Sequence, residues 1–341
     1  MVRITTSIMV FLISICVGSL KAAQVPTKLA VGYATISGAS ATLWAAQDEK
    51  FFLKNGIDTD LVFMPGSPTL IAAINSGALA VAYTGGSATL GAAAGGAEFK
   101  VLAASHGHVL HDLVVRSDIK EAKDLRGKRI GVTSIGGTGW MAGMLGFEQL
   151  GLNPDKDNLI VSGFGDMRVI SKALESGTID GALVIGDYSA RFRRMGFNVL
   201  GELDRLPLLG SSVVVKQSYL QSHADLMRSF IRSILEAHVF VLSPANKSIV
   251  LRMLAKRLNI SDPANGEDGY QDLVKRMEKK PYPSIEGLRN IQRFLQQRNP
   301  KIGQIKLQDL IDDSILHELE KSGYMDRVLC RIRYKMNLPN V

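Results

Sequence analysis

The hydrophobic pattern changes period again and again between residues 28 and 216. Short apolar runs of strand length alternate with longer stretches at helical spacing. Lys28–Ala34, Thr59–Met64, Leu79–Tyr83 and Phe99–Ala104 read as strands. Between the first two, Ala41–Lys54 carries Leu43, Trp44, Phe51 and Phe52 at helical spacing, and Asn55-Gly56 supplies a stop. Pro65-Gly66-Ser67-Pro68 opens a helix that ends at Asn75-Ser76-Gly77, and Thr84-Gly85-Gly86-Ser87 opens another over Ala88–Ala94. Strands separated by helices predict βαβ units and mostly parallel sheet.

The same order then recurs. After Asp112–Val115, Lys128–Ser134 predicts a strand, and Thr138–Leu150 a helix closed by Gly151. Leu159–Ser162 predicts a strand, Asp166–Glu175 a helix and Asp180–Ile185 a strand. The two passes align at an offset of about 100 residues. Gly32 answers Gly131, Gly56 answers Gly151, Gly66-Ser67 answers Gly165-Asp166, and Ser76-Gly77 answers Ser176-Gly177. Two α/β lobes of similar plan follow, joined by crossings near His106–Asp112 and Leu203–Ser211. Residues 24–108 begin lobe 1, 109–208 form lobe 2, and 209–341 return to lobe 1. After the strand Ser211–Lys216 the pattern is helical, with breaks at Pro244, Pro263, Pro281 and Pro300. This tail is expected to pack back on lobe 1 and cover its sheet.

Composition adjusts this picture only at the N-terminus. The 341 residues are 46% hydrophobic with a formal charge of +8. Residues 1–23 have Arg3, the apolar run Ile8–Leu20 and Lys21-Ala22-Ala23, the plan of a secretory signal peptide. That run is too short for an ordinary membrane span. The signal holds two of the 40 basic residues and none of the 32 acids, so the mature charge is +6. The excess lies in late runs that fit solvated helix faces, which argues against nucleic acid. Cys330 would remain as the sole cysteine, so no internal disulfide forms.

Ligands of open α/β sheets bind outside the carboxyl ends of the strands. Six turns fall there: Thr35–Ser40, Pro65–Ser67, Thr84–Ser87, Ser134–Gly139, Gly165–Asp166 and Gly186–Tyr188. They are rich in Gly, Ser and Thr, which suits backbone N–H and hydroxyl contacts. Three come from each lobe, so they would line one cleft and clamp a small molecule. Gly127–Trp140 is the second lobe's half of that clamp, with Gly136, Gly137 and Thr138 as donors and Trp140 as a stacking wall. Tyr188 is a second stacking candidate. Asp166 and Asp187 read either as helix N-caps or as partners of an amine or hydroxyl. No Arg or Lys falls inside the turns, and Arg168 is the nearest.

Catalytic and metal signatures are lacking: there is no GxxxxGK[ST], HExxH, CxxC or GxSxG. His106, His108 and His111 cluster, but with Asp112 as the sole nearby acid they mark a crossing rather than a metal site. Gly137–Ala142 matches the GxGxxA fingerprint, yet it lies in the second lobe of an exported chain. Neither a cofactor nor a metal is expected.

Four segments, LWAAQDEKFFLKNGIDTDLVFMPGS, AAINSGALAVAYTGG, DLRGKRIGVTSIGGTG and ALESGTIDGALV, resemble the periplasmic substrate-binding proteins of ABC importers. The resemblance is to the nitrate/sulfonate/taurine and thiamine-pyrimidine-like group and covers residues 28–240. It implies a type II two-lobed fold that closes on a solute by hinge motion and docks, as a periplasmic monomer, on an inner-membrane ABC permease. By position it carries the ligand onto Ser37, Gly38, Gly66, Ser67, Thr84, Gly85, Gly86, Gly136, Gly137, Thr138, Asp166 and Asp187. Sulfonate, carboxylate and pyrimidine-like solutes are the expected classes. The yeast pyrimidine-synthesis enzymes share this fold but depend on a cysteine-rich motif that this chain lacks. A ligand-sensing subunit of a membrane receptor would present the same sequence.

Overall fold

The computed structural model describes residues 25–260 and 266–334. The expected signal peptide, residues 1–23, lies outside them. Among the described residues, no single helix is long and apolar enough to cross a membrane.

The first pass gives β1 (Thr27–Tyr33), α1 (Ala41–Asp48), α2 (Phe51–Lys54), β2 (Ile57–Phe63), α3 (Ser67–Ser76), β3 (Val81–Thr84), α4 (Gly86–Ala93) and β4 (Phe99–Ala104). The second gives β5 (His111–Val115), β6 (Arg129–Val132), α5 (Thr138–Gln149), β7 (Ile160–Gly163), α6 (Met167–Glu175), β8 (Gly181–Ile185), α7 (Gly186–Arg194) and β9 (Asn198–Leu200). The chain returns as β10 (Ser212–Lys216) and then runs through α8 (Gln217–Ser222), α9 (Ala224–Leu242), α10 (Lys247–Leu258), α11 (Glu267–Arg276), α12 (Ile285–Leu295), α13 (Ser314–Lys321) and α14 (Tyr324–Tyr334).

Two five-stranded sheets result, ordered β2-β1-β3-β10-β4 and β7-β6-β8-β5-β9. In each, four strands run in one direction and the strand arriving from the other lobe is antiparallel to them: β10 in the first sheet, β5 in the second. Both enter from the cleft side and run outward, against the strands whose carboxyl ends face the cleft. The two crossings lie side by side as a ribbon. Val109 N–H donates to Leu206 O (2.9 Å), Leu208 N–H to Gly107 O (2.8 Å) and Ser105 N–H to Ser211 O (2.9 Å).

The repeated glycines have a shared physical cause. A Cβ at Gly32 would lie 2.4 Å from Leu70 Cδ2, and one at Gly131 2.6 Å from Ile179 Cδ1. At both positions the strand has to be bare where its own lobe's apolar side chains press on the sheet. Gly77 and Gly177 end the matching helices at φ +82° and +75°, where an L side chain is strained.

Three expectations are corrected. The helix over Ala41–Lys54 divides into α1 and α2, because Lys50 adopts φ +59°. The short edge strand β9 has no clear alternation and escapes the pattern. The tail does cover lobe 1, with Phe230 of α9 stacked on Phe52 at 5.0 Å and α12 packed on α4. Yet α11 reaches beyond lobe 1 and packs on α7 of lobe 2 as well. Helix spacing cannot reveal this, since the amphipathic code says which face is buried and not against what.

Candidate functional site

The carboxyl ends of β1, β2, β3, β6 and β8 meet between the sheets, and helices begin just beyond them. Four of those helices, α3, α4, α5 and α7, have no side-chain cap; Gly66, Gly85 and Gly137 stand at the N-caps of the first three. The positive ends of α3, α4 and α5 converge there with no N-cap side chain to meet them. Close approach of the lobes explains two of these glycines. A Cβ at Gly66 would lie 2.6 Å from Ser134 Oγ, and one at Gly85 1.9 Å from Thr138 Oγ1, each across the lobe boundary.

The lobes are closed on one another. Ser67 Oγ lies 3.2 Å from Thr138 Oγ1, and Ser87 Oγ donates to Gly136 O at 3.0 Å. Arg293 of α12 holds Glu148 of α5 through two hydrogen bonds of 2.8 and 2.6 Å. Between the lobes lies a cleft with about 570 Å³ of empty space, its open mouth included. Lobe 1 contributes Thr35, Ser40, Gly66, Ser67, Tyr83, Thr84 and Gly85. Lobe 2 contributes Thr133, Thr138, Met167 and Ile185. The crossings supply His106, His108, His111, Leu208, Gly210 and Ser211. Among the described residues, no Asp, Glu, Lys or Arg lines it.

His106 has a determined tautomer. Its Nε2 accepts the Ser211 N–H at 3.1 Å. Burial, with His238 and His111 nearby, pushes its pKa down to about 3, so the ring is neutral and its proton sits on Nδ1. That buried N–H has no partner among the described residues, and neither has the buried Thr84 hydroxyl. His111 is likewise neutral, pushed to about 4 by burial, with Nδ1 unpartnered. Ser134 Oγ, under the Gly66 turn, is a further orphan. An orphaned buried donor costs about 1–3 kcal/mol until something accepts its hydrogen. The cleft therefore presents unpartnered buried polar atoms of Thr84, His106 and His111 and, among the described residues, no Asp, Glu, Lys or Arg.

The sequence-predicted residues divide. Gly66, Ser67, Thr84, Gly85 and Thr138 line the cleft. Ser37 is buried within its own turn, where Thr35 Oγ1 donates to it, and Thr35 and Ser40 face the cleft instead. Gly86 N–H is taken by Leu209 O (3.0 Å) and Gly137 N–H by Ser134 O (3.1 Å). Gly136, at φ +76°, sits outside the cleft against Pro68 and offers its carbonyl to Ser87. Asp166 caps α6 and is bound by Arg168 at 2.7 Å, so both charges are occupied. Asp187 and Tyr188 face a separate basin beside α6, α7 and the end of α10, together with Arg168. Asp187 joins the lobes, because the Gly38 N–H bonds its carboxylate. Burial still outweighs that and two further N–H bonds, and raises its pKa to about 7.

Trp140 is not a stacking wall of the cleft. Its ring is buried edge-on against Phe294 at 6.0 Å, beneath the Arg298 guanidinium at 5.4 Å. The α5 face that carries it points to α12, a partner the local sequence does not name. Trp140→Ala is expected to cost about 3–5 kcal/mol of stability. Calorimetric unfolding should show that loss, while solute affinity stays near the wild-type value.

Sequence reasoning missed His106, His111, Thr133 and Ser211 as cleft residues. The histidines were visible but counted only as a crossing. The available signal was geometric: a crossing between two lobes has to pass the floor of the cleft they enclose.

The family model described as NMT1/THI5 like matches residues 38–246. YtlA of Bacillus subtilis (strain 168), which carries the name of a binding protein, is 24% identical over 291 residues, covering 79% of this chain and 85% of YtlA. Among solved structures, the alkanesulfonate-binding protein SsuA from Xanthomonas axonopodis pv. citri, bound to MOPS, has a TM-score of 0.69 at 16% identity. The match covers 84% of this chain and 98% of that one. The periplasmic nitrate-binding protein NrtA from Synechocystis PCC 6803 has a TM-score of 0.69 at 14% identity, covering 87% and 89%. These two establish the periplasmic-binding-protein-like fold.

Proposed function

Because this chain belongs to the NMT1/THI5-like family, we propose that it is the solute-binding component of an ABC-type importer. It closes its lobes on a small organic molecule in the periplasm and presents the closed form, as a monomer, to a membrane permease. The observation that carries this reading is that Thr84 and His106, each with an orphaned buried donor, are among the residues lining a cleft between two touching lobes, where no described Asp, Glu, Lys or Arg stands. A solute with an acceptor-rich head would satisfy both and sit at the convergent positive ends of α3, α4 and α5. Sulfonate and carboxylate meet that description. SsuA and NrtA, the neighbours in fold, are named for sulfonate and nitrate. Fold alone does not separate a receptor from an enzyme. What favours a receptor is that burial holds His106 and His111 far below the ordinary histidine range, which makes them weak bases, and that among the described residues no carboxylate lines the cleft.

Titration calorimetry on protein unfolded, dialysed and refolded tests this. The panel is methanesulfonate, nitrate, acetate, benzoate and 4-amino-2-methylpyrimidine. One of them is expected to bind with one-to-one stoichiometry and to stabilise the fold by mass action, by about 2.7 kcal/mol at a hundredfold excess over Kd, which a raised melting temperature reports. Conversion of the bound compound to a product would overturn the reading, and tightest binding of the pyrimidine would overturn the acceptor-head assignment.

A further inference from the structure

The tail crosses between the lobes again. α10 is fastened to lobe 1, where Arg257 binds Asp48 and Gln47 of α1. α11 then lies on lobe 2, and the segment after it returns along the first crossing. Glu278 N–H donates to Ser105 O (3.2 Å), and Ala104 N–H to Pro281 O (2.8 Å). α12 ends the excursion on lobe 1, with Gly287 pressed on the backbone of Leu208 and Leu209.

α11 grips both lobes. On lobe 2, Arg276 Nη2 donates to Asp112 Oδ1 at 3.0 Å, and these side chains are only 7% and 8% exposed. Asp112 also accepts Ser189 Oγ and Arg193 Nη2, while Arg276 Nε is held by Asp272 of its own helix at 2.8 Å. Gly269 lies so close to α7 that a Cβ there would be 2.6 Å from Asp187 Cα. On lobe 1, Tyr270 Oη donates to Val241 O at the end of α9 (3.1 Å), and Leu273 reaches the Gly38 turn.

We propose that α11 is a clasp across the two lobes, with Arg276 acting through Asp112 as its positioning residue on lobe 2 and Tyr270 with Leu273 as its hold on lobe 1. Opening of the cleft breaks one of these two sets. The buried ion pair is the costlier to break, so α11 travels with lobe 2 and parts from lobe 1 at Tyr270. The clasp therefore biases the open–closed equilibrium, and through it solute affinity, without touching solute. This rests on the hinge-closing reading above, but its test needs no solute.

Spin labels at Leu53→Cys on α2 and Ile160→Cys on β7, both exposed, report the interlobe distance in a Cys330→Ser background of the mature chain. Tyr270→Phe removes one hydrogen bond and is expected to lower the closed-to-open ratio about five-fold. Arg276→Met is expected to lower it about ten-fold or more, and Arg276→Lys to recover part of that. The double variant should open no further than the wider single variant, because a strap cut at either end is already cut. Wild-type distances in Tyr270→Phe and Arg276→Met, with only the melting temperature lowered, would overturn the clasp. Additive opening in the double variant would do so as well. Failure of the receptor reading shows elsewhere, as no added closure on titrating the wild type with the five compounds above.

Discussion

Gly85→Ala is expected to weaken solute binding by about 10- to 100-fold while moving the melting temperature by less than about 4 °C. The added methyl would stand 1.9 Å from Thr138 Oγ1, 3.0 Å from its Cβ and 3.1 Å from its Cγ2. Rotating Thr138 does not relieve the contact fully, because its Cβ, which no side-chain rotation moves, stays 3.0 Å from the added methyl. Gly85 has φ −94°, which alanine adopts without strain. The whole penalty thus falls on the closed form, where overpacking costs about 1–3 kcal/mol, and each 1.4 kcal/mol is tenfold in affinity. In the open form the two residues separate, so folding is spared. Calorimetry and the interlobe distance read the two effects apart. Thr138→Ala in the same chain should restore closure. An unchanged affinity in Gly85→Ala would mean that the cleft binds without these turns meeting.

The second large effect is acid lability. His106, His111 and His238 are all buried, with pKa values pushed down to about 3, 4 and 4. His238 has one nitrogen on Glu278 O and the other unpartnered. Unfolded histidine titrates near 6.5, so between about pH 4 and 6.5 the unfolded chain binds up to three protons that the folded one refuses. Stability therefore rises with pH across that window and is lost as pH falls, by about 1.4 kcal/mol per pH unit for each histidine. Asp187 works in the opposite sense. Its pKa is raised to about 7, so the folded state holds a proton the unfolded chain has released, and stability falls as pH rises from about 4 to 7. Near pH 5.5 the net uptake on unfolding should be about two protons. The pH dependence of chemical denaturation measures it. His238→Phe, which removes the histidine that lies outside the cleft, should reduce the uptake by about one proton. A net release of about one proton, that of Asp187 alone, would show that the three rings are charged in the folded state.

How much of this was legible in the sequence depends on whether the cause was local. Gly77 and Gly177, Gly32 and Gly131, and the strand-to-glycine turns at Gly66 and Gly85 all answer to backbone geometry or to packing within one βαβ unit. Their positions alone gave two lobes of one plan. Trp140, Asp166 and Asp187 are different. Each sits in a turn of the right composition, yet its role is set by Phe294, Arg168 and Gly38 respectively. Of these only Arg168 is a sequence neighbour, and for Asp166 the N-cap reading was available. The cleft histidines failed for the reverse reason: His106 is adjacent to the crossing, but what defines it is the Ser211 N–H, on the far strand of the ribbon. Contacts made at long sequence separation leave no periodicity to read.

The antiparallel entry strands bear on how the molecule is made. β5 to β9 are consecutive, so the second sheet is complete once residue 200 has left the ribosome. The first sheet is interrupted: β4 has no partner until β10, which follows it by more than a hundred residues. Sheet completion is therefore ordered, inner lobe first, and the split lobe carries the high contact order that slows folding. Asp112 waits longer still. It is buried at the start of β5, and Arg276 is synthesised after everything else in its sheet. The last charge to arrive closes the lobe that formed first.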